Sequence, residues 1–517
     1  VPVSAVPRAM SGQHKCLAIV LLLTINHLSS IESAFDSGDV GRKHSRATGK
    51  NHIQTAAEGA KHTRIRKTRQ YDQPYTITPH HHNIEHNSRR KINTNRNHQG
   101  SMLSSSKAAA VQQARDDGSF VASRANKNQK LTNGERKSKV PNTLQLVTVM
   151  FRHGDRAPEP AEISNFPNYE YANETWYPVG AGHLTNNGKL RLYKLGKTLR
   201  ARYGKFLGDL YSTEVAVTYC TDFPRTKASA QMFHAGLWPP NKDQIWSEDE
   251  TLASLWQPIP YSIDPKLNSA MNSFLRSPCF AYEYSRVLQL PEFQQLMFPH
   301  EKLLNLLMEK TGMKIDNPLH VWLVRSLFLA QEAMGKMKPD WATENWEEIS
   351  LVSDIAFSAL LYNNDLKRMA IGPILKKILN DCQDKADGVL EPRQRKLIVY
   401  SGHDTTVGPL LAAMGGEEGY IDEDGNPLKT IVPSFGSSVI LELHKIDGEY
   451  AIKILFNEKS PDGKFKPLRL VGYGEYCPLD KYIELTKNIA MDDQGLDKCP
   501  DAKHSTSLFD KAVKRKQ

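Results

Sequence analysis

The run TLQLVTVMF, Thr143 to Phe151, leads directly into Arg152-His153-Gly154-Asp155-Arg156-Ala157-Pro158. The run is apolar and rich in Leu, Val and Phe, which predicts a buried strand. A loop leaving the carboxyl end of such a strand is where open α/β sheets place their ligands, and its glycine lets the backbone approach closely. Two guanidinium groups then flank an imidazole. Arginine forks donate paired hydrogen bonds to phosphate oxygens, and a neutral histidine nitrogen between them can attack phosphorus. An isolated Arg-His pair is as readily a charged surface turn. The five fixed positions of the pattern R-H-G-x-R-x-P are not: at about 5% usage per residue type, a chain of this length matches by chance about once in 10⁴ trials.

Two more strand ends follow. Leu192, Leu195, Leu199, Tyr203 and Phe206 recur three or four residues apart and predict a helix that packs on a sheet. Glu214 to Tyr219 reads as the second strand and ends in Cys220-Thr221-Asp222-Phe223-Pro224-Arg225-Thr226, so Arg225 precedes a helix over residues 226–235. Lys396 to Ser401 reads as the third strand, followed by Gly402-His403-Asp404-Thr405-Thr406 and a helix over 407–414. This order of strand, loop, helix and strand implies an α/β fold with a doubly wound, mainly parallel sheet flanked by helices. Residues 238–380 change to helical segments with proline breaks (292–311, 318–337 and 346–381), which implies a mostly helical insert forming one wall of a cleft. Ser437 to His444 and Tyr450 to Phe456 read as an antiparallel pair around Asp447-Gly448, and a last helix begins after Tyr476-Cys477-Pro478-Leu479.

Arg152-His153-Gly154-Asp155-Arg156 resembles the signature of the histidine acid phosphatases, and His403-Asp404 resembles that family's second signature. Arg225-Thr226 with Ser229-Ala230 is similar to the family's R-T-x-x-S-A setting. Asp222-Phe223-Pro224 departs from it and puts a stiffening proline before the arginine. The resemblance covers about residues 144–499. It implies hydrolysis of phosphate monoesters through a phosphohistidine on His153, with Asp404 as proton donor and then base. It also implies that Arg152, Arg156, Arg225 and His403 hold the phosphate oxygens, and that no metal or other cofactor takes part. Asp404 on residue type alone could equally be a helix cap. Phytases and lysophosphatidic acid phosphatases share both signatures and are the alternatives within the superfamily. A secreted polyanion-binding protein on the same scaffold is the alternative of another class.

The +10 formal charge of the 517 residues is unevenly placed. Residues 35–142 hold 21 basic against 8 acidic side chains, a net of +13, whereas residues 143–517 hold 44 against 48, a net of −4. The basic character therefore belongs to the segment 35–142, which is poor in aromatics, lacks an apolar period and is expected to be disordered. Its basic runs could contact a polyanion. No nucleic-acid-binding motif accompanies them, so nucleic acid is not expected as a partner. Residues 10–34, with the apolar run Cys16 to Ile25, read as a signal peptide too short in its apolar core to be a transmembrane anchor. A phosphatase domain over 143–500 and a polar tail over 501–517 complete the expected organisation. Secretion or delivery to a lysosome follows, with Asn173-Glu174-Thr175 as a glycosylation sequon. Five cysteines remain after the signal, an odd number that cannot all pair within one chain. The resemblance implies a disulfide between Cys279 and Cys499 and leaves Cys220, Cys382 and Cys477 open. By analogy it also implies a homodimer.

Overall fold

Strand β1, Leu144–Arg152, is buried on both faces, and its alternate side chains enter two different cores. Leu146 and Met150 point to one side, Val147, Val149 and Phe151 to the other. That is why its sequence reads as a continuous apolar run rather than an alternating one. The computed structural model describes residues 142–422, 425–460, 463–496 and Cys499, so the signal segment, the basic segment up to residue 141 and the tail 501–517 lie outside the described residues.

Strands β2 (Ala216–Cys220) and β3 (Leu397–Gly402) run parallel to β1 in the order β2-β3-β1. Beyond β1 the sheet continues antiparallel through β5 (Ser438–Ile446), β6 (Glu449–Asn457) and β7 (Lys466–Leu470). Short β4 (Tyr420–Ile421) pairs with β7 and β8 (Cys477–Pro478) with β6. The sheet is thus mixed, with its parallel part confined to the three strands that end in the singled-out loops. The β5–β6 hairpin turns at Asp447 (φ 50°) and Gly448 (φ 94°), two left-handed residues as a type I′ turn requires.

On one face, helices α1 (Asn186–Leu207) and α2 (Pro224–Leu237) press Leu192, Leu195, Leu199 and Phe233 onto Val149, Val399 and Ile440. They approach closely because glycines face backbone: a methyl at Gly196 would lie 2.0 Å from the Phe233 carbonyl oxygen, and one at Gly236 would lie 2.1 Å from that of Tyr193. Between α2 and β3 the named elements among the described residues are all helices, among them α3 (Leu319–Ala333), α4 (Trp346–Ala359) and α5 (Asn364–Ala386). Ile371, Ile374 and Ile378 of α5, with Val407 and Leu410 of α6 (Asp404–Met414), cover the other face of the sheet.

Several helix bounds differ from the expectation for local reasons. The segment 292–311 is broken into three pieces at Pro299, and 346–381 is split where Asn363 caps α5 through a bond from the Leu366 amide. Helix α2 starts at Pro224, whose fixed φ and missing N–H suit a first helical position. Cys279 and Cys499 form a disulfide with a Cα–Cα distance of 5.4 Å across 220 residues of chain, while Cys220, Cys382 and Cys477 are free and buried. No helix among the described residues is long and apolar enough to cross a membrane.

A buried acid at the sheet's far end carries a pH-dependent share of stability. Glu442 accepts from Tyr203 Oη at 2.6 Å and Arg202 Nη2 at 2.8 Å, and lies 3.3 Å from His444 Nε2. Burial alone would raise its carboxyl, but the bonds to His444, Arg202 and Tyr203 hold it down at about 2. The folded value is below the unfolded one of about 4.3. The contribution, about 3 kcal/mol, is therefore present above pH ~4.3 and lost as pH falls toward 2. Glu442→Gln should lower Tm near neutrality, and the gap to wild type should close between pH ~4 and ~2. A gap that stays constant over that range would contradict this assignment.

Candidate active site

The carboxyl ends of β1, β2 and β3 lie side by side, as the pairing of Arg152 with Gly402 and of Cys220 with Ser401 fixes. All six singled-out residues at these ends are buried: Arg152, His153, Arg156, Arg225, His403 and Asp404. Gly154 makes the loop after β1 sit tightly on the start of α1. A methyl there would lie 2.4 Å from the Gly188 carbonyl oxygen, and one at Gly188 would lie 2.2 Å from that of Asp155. The Gly154 amide donates to Ser229 Oγ of α2 at 3.2 Å.

His153 is held by its own loop. Its Nδ1 lies 2.8 Å from the Gly154 carbonyl oxygen, which can only accept, so Nδ1 carries the proton and Nε2 keeps a free lone pair. Burial first, then the charges of Arg225 and Arg152, push the imidazole well below its usual range. The neutral ring is thereby favoured over the cation. The ring lies edge-on to His403 at 5.5 Å between centroids and 5.7 Å from Phe435.

Arg152 donates from Nη1 to the Pro433 carbonyl at 2.6 Å and from Nη2 to Asp404 Oδ2 at 2.9 Å, with its guanidinium over the Phe435 ring at 4.3 Å. Burial lowers it to about 10, which leaves it charged at any acidic pH. Arg156 is clamped by Glu162 through two parallel bonds of 2.8 and 2.6 Å, and Ser326 Oγ of α3 completes the clamp by donating to Glu162 at 2.8 Å. Burial opposes the Arg156 charge, but Glu162 and Glu159 outweigh it and raise its pKa. Arg225 reaches Glu159 Oε1 at 3.1 Å and stacks on Phe223 at 4.6 Å. The Asp222-Phe223-Pro224 departure therefore places an aromatic shelf beneath the guanidinium.

His403 caps α6, and both its ring nitrogens are engaged. Nε2 lies 2.9 Å from Thr221 Oγ1, whose own proton goes to Thr226, and Nδ1 accepts from Arg225 Nη2 at 3.4 Å. Burial, then Arg225 and Arg152, lowers its pKa well below the usual histidine range. Asp404 is the first residue of α6, with Oδ1 on the Thr405 amide at 2.8 Å. One feature unites the three arginines: the Nε–H of Arg152, of Arg156 and of Arg225 is buried without a hydrogen-bond partner among the described residues. Buried donors of this kind are rare and costly, and a ligand with several acceptor oxygens satisfies them together.

Glu159, Glu162, Thr221, Ser326 and Phe435 were not singled out from the sequence. Glu159 and Glu162 carried a legible signal, a Glu-Pro-x-Glu helix start directly behind the signature. Asn173 lies exposed in a turn, and Cys279 and Cys499 are remote from the strand ends in sequence and joined to each other.

The family profile and the curated relatives point to one family. The profile of the histidine phosphatase superfamily (branch 2) matches residues 143–457. The venom acid phosphatase Acph-1 of Apis mellifera is 33% identical over 350 residues, 67% of this chain and 85% of its own. The prostatic acid phosphatase of Bos taurus is 31% identical over 68% of this chain and 87% of its own, and the lysosomal acid phosphatase of Homo sapiens 31% over 68% and 79%. Among solved structures, a Hafnia alvei phytase aligns at a TM-score of 0.48 and 15% identity over 68% of this chain and 98% of that one. This chain belongs to branch 2 of the histidine phosphatase superfamily.

Proposed function

We propose that this chain is an acid phosphatase that hydrolyses phosphate monoesters through a phosphohistidine. The observation that carries the reading is the His153 tautomer, fixed with its lone pair on Nε2, among three arginines with unpartnered Nε–H donors. A neutral nucleophile avoids the repulsion an anion would meet at a phosphate. Nε2 attacks phosphorus in line, the bond to the leaving oxygen breaks, and the Asp404 carboxyl supplies the proton that oxygen needs. Arg152, Arg156 and Arg225 stabilise the equatorial oxygens through charge-assisted bonds. His403 contributes to that cradle through Arg225, since both its ring nitrogens are engaged. Asp404 then takes a proton from water, water attacks phosphorus, and the P–N bond breaks to release phosphate and free His153.

Acidic conditions favour this cycle because a substrate monoanion brings the proton that Asp404 passes on. Arg152, freed as Asp404 becomes neutral, turns its charge to the phosphate. Relatives named as venom, prostatic and lysosomal acid phosphatases support secretory or lysosomal delivery, with the sequon at Asn173 as a glycan site. Hydrolysis of phenyl phosphate across pH, with and without EDTA, tests the function. Activity that peaks below neutrality and is indifferent to EDTA is expected, because guanidinium groups supply the charge that a metal supplies elsewhere. Inactivity of the folded protein, or loss of activity with EDTA, would overturn the reading.

A further inference from the structure

Arg325 differs from every arginine around the site. Arg152 is bonded to Asp404, Arg156 to Glu162, Arg225 to Glu159 and Arg191 to Asp155. Arg325, on α3 next to Ser326, has no hydrogen bond or ion pair with any described residue, and its Nε–H is buried. Burial lowers its pKa while Asp354 and Asp404 favour its charge, so it remains a cation in acid. The side chain is half-buried and has no hydrogen bond with a described residue, so its donors are left for a ligand. Such a group is where a ligand is to be sought.

Arg325 lines a cavity of about 390 Å³ with Phe435, Ser434, Leu329 and Asn187 in its wall. The other charges there are already engaged. Asp155 and Arg191 fork onto each other, and Glu332 is held by Lys338. Phe435 is the wall shared with the catalytic groups, since its ring also carries Arg152 at 4.3 Å and faces His153 at 5.7 Å. Asp404, the group that protonates the leaving oxygen, is bonded to that same Arg152, and the charge of Arg325 is felt at both. The cavity therefore adjoins the catalytic groups across the Phe435 ring. It offers an aromatic and aliphatic wall with one unengaged guanidinium.

We propose that Arg325 and this cavity form a leaving-group subsite that selects aryl phosphates carrying a second oxyanion, a carboxylate or a phosphate. The proposal rests on the phosphatase reading above. A planar leaving group would lie against Phe435 and present its second anion to the guanidinium, which pairs with either oxyanion through parallel N–H bonds.

The test compares kcat/KM for 4-carboxyphenyl phosphate and for 1,4-phenylene bisphosphate with kcat/KM for phenyl phosphate, at pH ~6 where the carboxylate is ionised. Wild type should prefer at least one anionic substrate by about 10- to 100-fold, the range of a hydrogen bond to a charged group. The arm that shows the larger ratio identifies the anion. The ratio should fall to near one in Arg325→Met and recover in part in Arg325→Lys. A structural role for Arg325 would change all three substrates in parallel and leave the ratio intact, and that result, or a wild-type ratio near one, would overturn the subsite. A salt titration of wild type alone probes the subsite without a variant: the ratio should fall as ionic strength rises, and a flat response contradicts the proposal. Wild type inactive toward phenyl phosphate as well would instead overturn the phosphatase reading itself.

Discussion

His153→Ala should reduce kcat for phenyl phosphate by at least about 10⁴-fold, a loss of about 5 kcal/mol or more in transition-state stabilisation. The substitution removes the only ring nitrogen in the site that is both neutral and unbonded, because the second imidazole, His403, has its two nitrogens on Thr221 and Arg225. It leaves the arginines in place. Arg152 is held by the Pro433 carbonyl and Asp404, Arg156 by Glu162, and Arg225 by Glu159, none of which involves the His153 side chain. Binding of inorganic phosphate, read by calorimetry on the variant, should therefore change far less than kcat. The pairing of abolished turnover with retained binding is the signature of a lost nucleophile. Residual turnover above about 1% of wild type would mean that water attacks phosphorus directly and that the phosphohistidine step is wrong. Loss of phosphate binding in equal measure would mean that His153 chiefly orders the loop. A Tm close to wild type separates both outcomes from misfolding, since the ring packs only edgewise on His403 and obliquely on Phe435.

The three strand ends were legible because each is written locally: an apolar run, then a loop whose polar residues suit neither strand nor core. β1, β2 and β3 begin and end within two residues of their expected limits, and the parallel pairing places Arg152, Arg225, His403 and Asp404 at one sheet edge. What the sequence concealed is what tertiary packing supplies. Ser326 and Arg325 come from α3 in the helical insert, more than 160 residues beyond the first signature in sequence, and nothing in the helix's apolar period distinguishes an arginine at the cleft from one in solvent. Phe435 belongs to the connection before β5, where no periodicity exists to read, yet it touches Arg152 and His153 at once. The helical segments were recognised but not their breaks, because a 3.6-residue apolar period survives across the single 3₁₀ turn at Phe298–His300. Clamping of Arg156 by Glu162 was within reach, and it changes the chemistry: the charge at that arginine is fixed by a buried carboxylate rather than left to solvent.

Asp404→Asn should slow alkyl phosphates by about 10³-fold or more but aryl phosphates with acidic leaving groups by much less, since general acid catalysis contributes roughly 10²- to 10⁴-fold and is needed in proportion to leaving-group basicity. An amide keeps the shape, and its one carbonyl oxygen can still accept from the Thr405 amide, the bond of 2.8 Å, but the NH2 that replaces Oδ2 cannot accept from Arg152 Nη2, which lies 2.9 Å from that oxygen in wild type. The amide cannot deliver a proton to the leaving oxygen. A plot of log kcat/KM against leaving-group pKa should therefore be shallow for wild type, where proton transfer compensates for a poor leaving group, and steep for the variant. For the best leaving groups the slow step should move to hydrolysis of the phosphohistidine, because the same residue is then missing as the base that activates water. Phosphoenzyme should accumulate there and be trappable by rapid denaturation and brought to neutral pH, whereas wild type should show little. The substitution also neutralises the partner of Arg152 while leaving its other anchor, the Pro433 carbonyl at 2.6 Å, untouched. Phosphate binding should hold or strengthen, since the guanidinium no longer divides its charge between carboxylate and ligand. Equal slowing of alkyl and aryl substrates, with no change of slope and no trapped intermediate, would show that Asp404 orients Arg152 and moves no proton.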